Sequence, residues 1–396
     1  MTIQDLTAQY VAPTYARFPV AFVKGEGSLL WDDSGREYID LGAGIAVNSL
    51  GLADKAWADA VSAQLRTLAH TSNLYYTGPQ AQLAQALCER TGMQKVFFSN
   101  SGAEANECMI KAARKFRSQE SGGRDQGNGP VIVTLTGSFH GRTIATLKAT
   151  AQEGMHQHFG PFPAGFRYAE ANNIKDLEEK VDGDCCAVML ELVQGEGGVV
   201  ALDKEYIRAA AALCETRGML LLVDEVQTGN GRTGTLFAFE QYGVMPDIVS
   251  TAKGLAGGLP LGATLFGKKT ADVLQSGDHG STFGGNPACA AGALHVLSRL
   301  DDRLLSEVRV KSEYIKTRLA GATGVLGVTG LGLMLGIQTA RPAKEIANEC
   351  LARGLAVLTA KDKVRLLPAL NIPMDVLARG MDVLVEVIGG VHNKST

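Results

Sequence analysis

Short apolar runs with bulk on both faces recur along this chain, each followed by a glycine or polar turn and separated by stretches of helical periodicity. Lys95-Val-Phe-Phe-Ser99, Val131 to Leu135, Ala187 to Leu192, Met219 to Val223, Ile248 to Ser250 and Ala263 to Phe266 are the strand candidates. A strand with no polar face must be covered on both sides, which is the situation of a central, mainly parallel sheet between helical layers. Ala103 to Phe116 (with Ser101 as N-cap), Asp203 to Thr216 and Pro287 to Leu300 have the spacing of covering helices. After about residue 305 the pattern changes. A long helix to Leu319, the stretch Gly330 to Thr339, a helix near Pro342 to Arg353, the strand-like Val364-Arg-Leu-Leu and a final helix from Asp375 read as an α+β unit. The fold class expected is therefore α/β, with three segments: an N-terminal arm with short strands over 1–50 that forms part of the small domain, a large domain over 51–304, and a small α+β C-terminal domain over 305–396. The glycine-rich stretch Ser121 to Gly129 reads as a surface loop.

Composition permits such a core and excludes several partners. Of the 396 residues 45% are hydrophobic and 20% charged, ordinary for a globular chain. The net charge of −3 offers nothing to nucleic acid or an anionic membrane. No apolar stretch reaches the roughly 18 residues of a membrane-spanning helix. The seven cysteines are odd in number and form no C-x-x-C, which fits a reducing compartment. With a polar N-terminus, Met-Thr-Ile-Gln-Asp-Leu, a cytoplasmic protein is expected.

Lys253 is the one charge in a run of small and apolar residues from Ile248 to Gly262. Poor solvation disfavours its ammonium form, lowers its pKa and suits it to Schiff-base chemistry. Asp224 ends the apolar run Leu220-Leu-Leu-Val, where a buried carboxylate suits a pyridinium nitrogen. The pair points to a pyridoxal phosphate (PLP) enzyme.

Other motifs are open when taken singly. Ser99-Asn-Ser-Gly-Ala-Glu-Ala-Asn-Glu107 is a strand end, a small-residue turn and a helix start. The amides of Gly102 and Ala103 would suit a phosphate there, and the same residues would serve as an ordinary N-cap. Arg142, in Ser138-Phe-His-Gly-Arg-Thr143, is placed either to bind a carboxylate or to make a structural salt bridge. Phe139 beside it either stacks on a planar ring or packs in the core. Glu196, in Gln194-Gly-Glu-Gly-Gly198, has Arg365 as its best partner, because Arg365 interrupts an apolar strand. Gly229-Asn-Gly-Arg-Thr-Gly234 matches G-x-G-x-x-G, but Asp224 to Thr228 intervene after the strand and put two acids where a pyrophosphate would approach. His140, His156 and His158 lack Cys or acid partners at ligand spacing, so no metal is expected.

Six motifs in order resemble the class III PLP-dependent aminotransferases. They are Ser99 to Glu107, Ser138 to Thr143, Glu191-Leu-Val-Gln-Gly-Glu-Gly-Gly198, Leu222-Val-Asp-Glu-Val-Gln-Thr-Gly-Asn-Gly-Arg-Thr-Gly234, Ala252-Lys-Gly254 and Gly280-Ser-Thr-Phe-Gly-Gly-Asn-Pro287. The likeness runs from Tyr15 to the Arg365 strand and is greatest to the acetylornithine branch. It implies the fold-type I architecture of PLP-dependent transferases and a homodimer with active sites at the subunit interface. It also implies that Lys253 carries the cofactor and Asp224 pairs with its ring nitrogen. Val226 and Phe139 would cover the ring faces, Gln227 would approach the phenolic oxygen, and Glu225 would border the cofactor. Ser101, Gly102 and Ala103 would hold the phosphate, with Thr282 contributed across the interface. Arg142 would bind the substrate carboxylate remote from the reacting amine, with Ser281 near it. Arg365 would take the α-carboxylate of glutamate, and Glu196 would mask it when the other substrate is bound. The activity implied is transfer of the terminal amine of N-acetylornithine to 2-oxoglutarate with ping-pong kinetics, in arginine biosynthesis. Succinylornithine, succinyl-diaminopimelate, ornithine and 4-aminobutyrate are the alternative donors, and a PLP aminomutase is a more distant reading.

Two features depart from that pattern. Leu192 stands where many relatives carry proline, and Gly51-Leu-Ala-Asp54 replaces a histidine-containing turn. Gly44 lies where the ornithine enzymes carry a bulky aromatic, leaving room for an acylated amine. Tyr75-Tyr-Thr-Gly-Pro79 is similar to the acetylornithine branch.

Overall fold

The computed structural model describes residues 1–120 and 129–390, so the stretch 121–128 read as a surface loop lies outside the described residues. A seven-stranded sheet runs through the large unit in the order Lys95–Ser99, Gly262–Phe266, Ile248–Thr251, Leu220–Asp224, Cys185–Leu190, Val131–Leu135, Phe166–Ala169. All neighbouring pairs are parallel except those made by Gly262–Phe266, which is antiparallel to both its neighbours.

The two-faced apolar strands do what their composition requires. Leu221 and Val223 point into one core with Ile207 and Ala210 of the helix Lys204–Thr216. Leu220 and Leu222 point the other way, against Met109 and Ala113 of the helix Gly102–Glu120. Each such fully buried aliphatic side chain contributes about 1.5–3 kcal/mol, an upper figure because unfolded chains already bury some surface. Phe166–Ala169 was not anticipated; it is one of the sheet's two edge strands, half-exposed along most of its length, and lacks the two-faced pattern.

The C-terminal unit has an antiparallel sheet in the order Val325–Leu331, Met334–Thr339, Lys363–Leu366, Leu358–Ala360. Strands Phe22–Glu26, Leu29–Asp32 and Glu37–Asp40 form a second sheet there, completed by Leu355–Ala356. The arm also begins with a helix, Ile3–Tyr10, capped reciprocally by Thr2 and Asp5. It buries no residue, so the apolar pattern gave no sign of it.

The Gly51–Asp54 turn has a local purpose. Gly51, at φ +79°, lies so close to the Gly27 carbonyl that a methyl group would sit 2.6 Å from it. Asp54 caps the helix Lys55–Thr67 by accepting from the Trp57 amide at 2.9 Å. Among the described residues no helix is long and apolar enough to cross a membrane.

Candidate active site

Parallel strands deliver their C-terminal ends to one edge of a sheet, where ligands of open α/β folds bind. Asp224 is the last residue of its strand, and Lys253 follows the neighbouring strand by two residues. Lys253 has φ +43°, a left-handed backbone that costs a non-glycine residue about 1 kcal/mol or more. The residue is half-buried. Desolvation lowers its pKa, aided by the Arg365 guanidinium; Glu196, Asp224 and Glu191 pull the other way without reversing it.

Asp224 is buried and held by three groups. Asn106 Nδ2 donates to Oδ2 at 2.7 Å, His140 Nδ1 lies 2.8 Å from the same oxygen, and the Val226 amide donates to Oδ1 at 3.0 Å. A carboxylate only accepts, so the His140 proton belongs on Nδ1 when Asp224 is ionised. Asn106 also donates to the His140 carbonyl at 2.7 Å. Behind them Glu191 accepts from the Phe139 amide at 2.8 Å and the Gly195 amide at 3.2 Å. Burial pushes its pKa up to about 7, with the His140 charge opposing and Asp224 adding to the rise. Sequence reading missed Asn106, His140 and Glu191 as site residues. All three lie inside the quoted motifs, but their contacts run across the sheet and leave no mark on spacing.

Gly102 and Ala103 open the helix Gly102–Glu120, and Ser101 Oγ accepts from the Glu104 amide at 3.2 Å as its cap. A methyl group at Gly102 would stand 2.6 Å from Val226 Cγ1, and one at Gly141 would stand 2.8 Å from Ala103 Cβ. These contacts bring the helix start, Val226 and the Phe139–Arg142 loop together. The exposed Arg142 lies over the Phe139 ring, its guanidinium carbon 5.4 Å from the centroid. Gln227 is buried with Oε1 unpartnered, and a methyl group at Gly195 would lie 2.4 Å from that oxygen.

Arg365 Nη1 donates to Glu196 Oε1 at 2.6 Å, and the guanidinium is buried with Nε unpartnered. Burial opposes ionisation of Glu196, but the Arg365 charge and hydrogen bond outweigh it and hold its pKa below the ordinary value.

Ser281 Oγ accepts from Asn100 Nδ2 at 3.1 Å, and Thr282 beside it is exposed. Gly44 lines a groove of about 550 Å³ with Tyr15, Phe18, Asn48 and Leu358. Asn48 links this groove to the lysine loop, since a methyl group at Gly258 would lie 3.5 Å from its Oδ1.

Glu225, expected to border the cofactor, has a fully buried carboxylate that accepts from Thr228 Oγ1 and from the Phe239 amide at 2.8 Å. It anchors the turn that follows the strand, and burial raises its pKa to about 7. His156 is likewise structural, with Nε2 2.9 Å from the Leu147 carbonyl and 2.7 Å from that of Thr150. Among the described residues no cluster of His, Cys, Asp or Glu stands where a metal would be held.

A buried lysine, a strand-end carboxylate and a helix start at the C-terminal edge of a mainly parallel sheet define a fold-type I, PLP-dependent transferase. Residues 10–388 match the model of the family described as aminotransferase class-III, and the chain belongs to that family. It is 48% identical to the acetylornithine aminotransferase of Haemophilus ducreyi, over 98% of each chain. It is 43% identical to that of Caldanaerobacter subterraneus, over 97% of this chain and 98% of the relative. Among solved structures, the N-acetylornithine aminotransferase of Stenotrophomonas maltophilia superposes with a TM-score of 0.84, 36% identity and 98% coverage of both chains. The ornithine aminotransferase of Toxoplasma gondii, whose structure carries PLP in partial occupancy, gives 0.93 at 29% identity, covering 98% of this chain and 95% of that one.

PLP is the cofactor of this family, and the residues present fit it. Gly102 leaves a cradle against Val226 that any side chain would fill, and Gln227 Oε1 is a buried acceptor awaiting a partner.

Proposed function

We propose that this chain is an acetylornithine aminotransferase: it moves the terminal amino group of N-acetylornithine to 2-oxoglutarate, leaving N-acetylglutamate 5-semialdehyde and glutamate. The ion pair of Glu196 with Arg365 carries this reading. One substrate, glutamate, brings a carboxylate close to the reacting carbon, and the other does not. A buried guanidinium left alone costs several kcal/mol, so a site that serves both needs a counter-charge it can release. Glu196 sits on a glycine-flanked loop and is ionised, which suits it to leave Arg365 when a substrate carboxylate arrives.

Bound PLP supplies the electron sink for the carbon that loses its proton. Lys253 takes that proton on Nζ and returns it, for which its lowered pKa makes the neutral amine available. Asp224, fixed by Asn106 and His140, holds the proton of the ring nitrogen. The amides of Gly102 and Ala103 take the phosphate, Gln227 the phenolic oxygen, and Val226 and Phe139 the ring faces. Arg142 binds the remote carboxylate of N-acetylornithine, with Ser281 beside it, and the groove at Gly44 gives the acyl group room. In this division residues 51–304 hold the cofactor, while 1–50 and the C-terminal segment from 305 bring Gly44 and Arg365 to it.

The working unit is a homodimer in the same proposal. Leu74, Tyr75, Tyr76 and Phe283 are exposed together, joined by Asn73 Nδ2 donating to the Ser281 carbonyl at 3.0 Å and the Gly284 carbonyl at 2.9 Å. Thr282 stands in this patch, where it would reach the phosphate of a second copy. All seven cysteines are free, which fits a reducing compartment such as the cytoplasm.

Donor profiling tests the substrate. With 2-oxoglutarate as acceptor, kcat/KM for N-acetylornithine is expected to exceed that for ornithine and 4-aminobutyrate by about tenfold or more, a difference of roughly 1.4 kcal/mol or more in transition-state binding. A profile led by either of those amines would replace this reading, and one led by N-succinylornithine would move the acyl preference.

A further inference from the structure

The Gly229–Gly234 loop has no part in the chemistry above, yet it touches both halves of the site. Asn230, buried and at φ +57°, donates from Nδ2 to Thr251 Oγ1 at 2.8 Å and to the Ala252 carbonyl at 3.0 Å. Those two residues immediately precede Lys253, whose own backbone is left-handed. A further side-chain hold on this segment is Ser49 Oγ, which donates to the Gly254 carbonyl at 3.2 Å.

Two residues along the loop, Arg232 is almost wholly buried, and among the described residues no carboxylate pairs with it. Its Nη1 donates to the Leu333 carbonyl at 3.1 Å and to the Pro368 carbonyl at 2.5 Å, and its own carbonyl accepts from the Leu333 amide at 2.9 Å. Pro368 follows Arg365 by three residues, and Leu333 lies in the turn leading to the strand Met334–Thr339 that pairs with the Arg365 strand. Approach here is so close that a methyl group at Gly332 would lie 2.5 Å from Thr233 Cα. Nη2 is buried without a partner. An unpaired buried guanidinium is costly, and burial alone lowers its pKa to about 9. The long side chain carries one nitrogen, Nη1, to carbonyls of two separate turns at once, which is a reason to keep it, since a thioether could donate to neither.

We propose that the Gly229–Gly234 loop is a two-armed clasp: Asn230 positions the backbone that carries Lys253, and Arg232 positions the strand that carries Arg365. Both are positioning residues, acting through the groups they hold. The inference rests on the proposed roles of those two residues, and it makes the arms separable. Lys253 serves both half-reactions, whereas Arg365 serves the one with glutamate and 2-oxoglutarate.

Single-turnover kinetics and hydrogen exchange test it. Arg232→Lys keeps the cation, but its side chain is one atom shorter and its ammonium stops short of the position of Nη1 between the two carbonyls. Loss of about one such bond is expected to raise KM for glutamate and 2-oxoglutarate about tenfold, leaving the N-acetylornithine half-reaction within about twofold. Asn230→Ala is expected to slow both half-reactions about tenfold, by the same reckoning. In the cofactor-free protein, Asn230→Ala should speed amide exchange in 250–256 and Arg232→Lys in 363–370, each leaving the other segment unchanged. Equal losses in both half-reactions for Arg232→Lys, or exchange that does not change in the named segment, would overturn the clasp. Should a variant not fold, the unaltered protein decides: 229–234, 250–256 and 363–370 must open with one common denaturant dependence, and separate dependences refute the link. Exchange needs no substrate, so a wrong donor assignment would leave this result standing.

Discussion

Three carboxylates and one guanidinium act on Lys253, a lysine that protein largely removes from water. The acids favour its ammonium form, yet desolvation is the largest influence and the pKa stays low. A base with these properties cannot be replaced by a neighbour. Lys253→Ala is expected to keep PLP bound, because the phosphate and ring contacts remain. It should lose at least about 10²–10⁴-fold in kcat, the span general acid–base catalysis covers. Retained absorbance with normal turnover would end the mechanism. Glu225 illustrates a different use of burial. Its folded pKa of about 7 lies above the ordinary 4.5, so the folded state binds more protons across that interval. Its contribution to stability is fully present below about 4.5 and is lost as pH rises through about 7. Glu225→Gln keeps a shape that can pair with Thr228 and the Phe239 amide but does not titrate. Between pH 4.5 and 8 the wild type is expected to lose up to about 3 kcal/mol relative to this variant, measured by denaturant unfolding at both ends of the range. Parallel curves would show that the carboxyl is already ionised.

One turn places four left-handed residues in succession. Ala43, Gly44, Ile45 and Ala46 all have positive φ, between +43° and +65°. Each non-glycine residue in that region costs roughly 1–2 kcal/mol. Asp40 offsets part of it, with Oδ1 accepting from the Gly42 amide at 2.8 Å and the Ala43 amide at 2.9 Å. Packing of Ala46 on Val193, Met334 and Leu367 supplies more. Gly44 therefore has two reasons to be glycine, backbone and space, and substitution can separate them. Gly44→Ala should cost about 1 kcal/mol of stability and leave donor preference alone. Gly44→Tyr should add a fall of about tenfold in the ratio of kcat/KM for N-acetylornithine over ornithine, as expected where a filled pocket excludes an acyl group. An unchanged ratio in the tyrosine variant would show that the groove does not hold the acyl group. Sequence alone had revealed the vacancy at Gly44 but not its φ, because a left-handed turn is a property of neighbouring contacts. The same limit runs through the fold. Strands such as Leu220–Asp224 were legible because both faces are apolar, whereas the edge strand Phe166–Ala169 and the surface helix Ile3–Tyr10 bury too little to leave a pattern. Lys253, Asp224, Glu196 and Arg365 stood out as charges in apolar or glycine-rich runs. Asn106, His140 and Glu191 did not, since their partners come from other strands.

At the scale of the molecule the unresolved demand is an apolar surface. Leu74 is 88% exposed, Tyr75 68%, Phe283 60%, and Tyr76 is wholly exposed. Soluble monomers seldom present so many large apolar side chains in one patch, and tyrosine-rich patches are where association energy concentrates. The patch is not floppy: Gln80 Nε2 donates to Asn73 Oδ1 at 2.8 Å, Asn73 ties it to Ser281 and Gly284, and His70 packs on Phe283 with centroids 5.3 Å apart. Ser281 in turn is bonded to Asn100, next to the Ser101–Ala103 turn. A second copy docked here would cover the aromatics and place Thr282 at the partner's helix start. Tyr76→Asp puts a charge at the centre of that contact and should cost at least about 2 kcal/mol of association, enough to shift the dimer to monomer at micromolar concentration if its affinity is ordinary. Light scattering would record the change in mass, and PLP affinity should fall with it because the partner's threonine is withdrawn. Thr282→Ala should weaken PLP without changing the mass. If Tyr76→Asp gave monomers that bound PLP as tightly as before, the threonine would have to serve its own chain, and association would have no part in holding the cofactor.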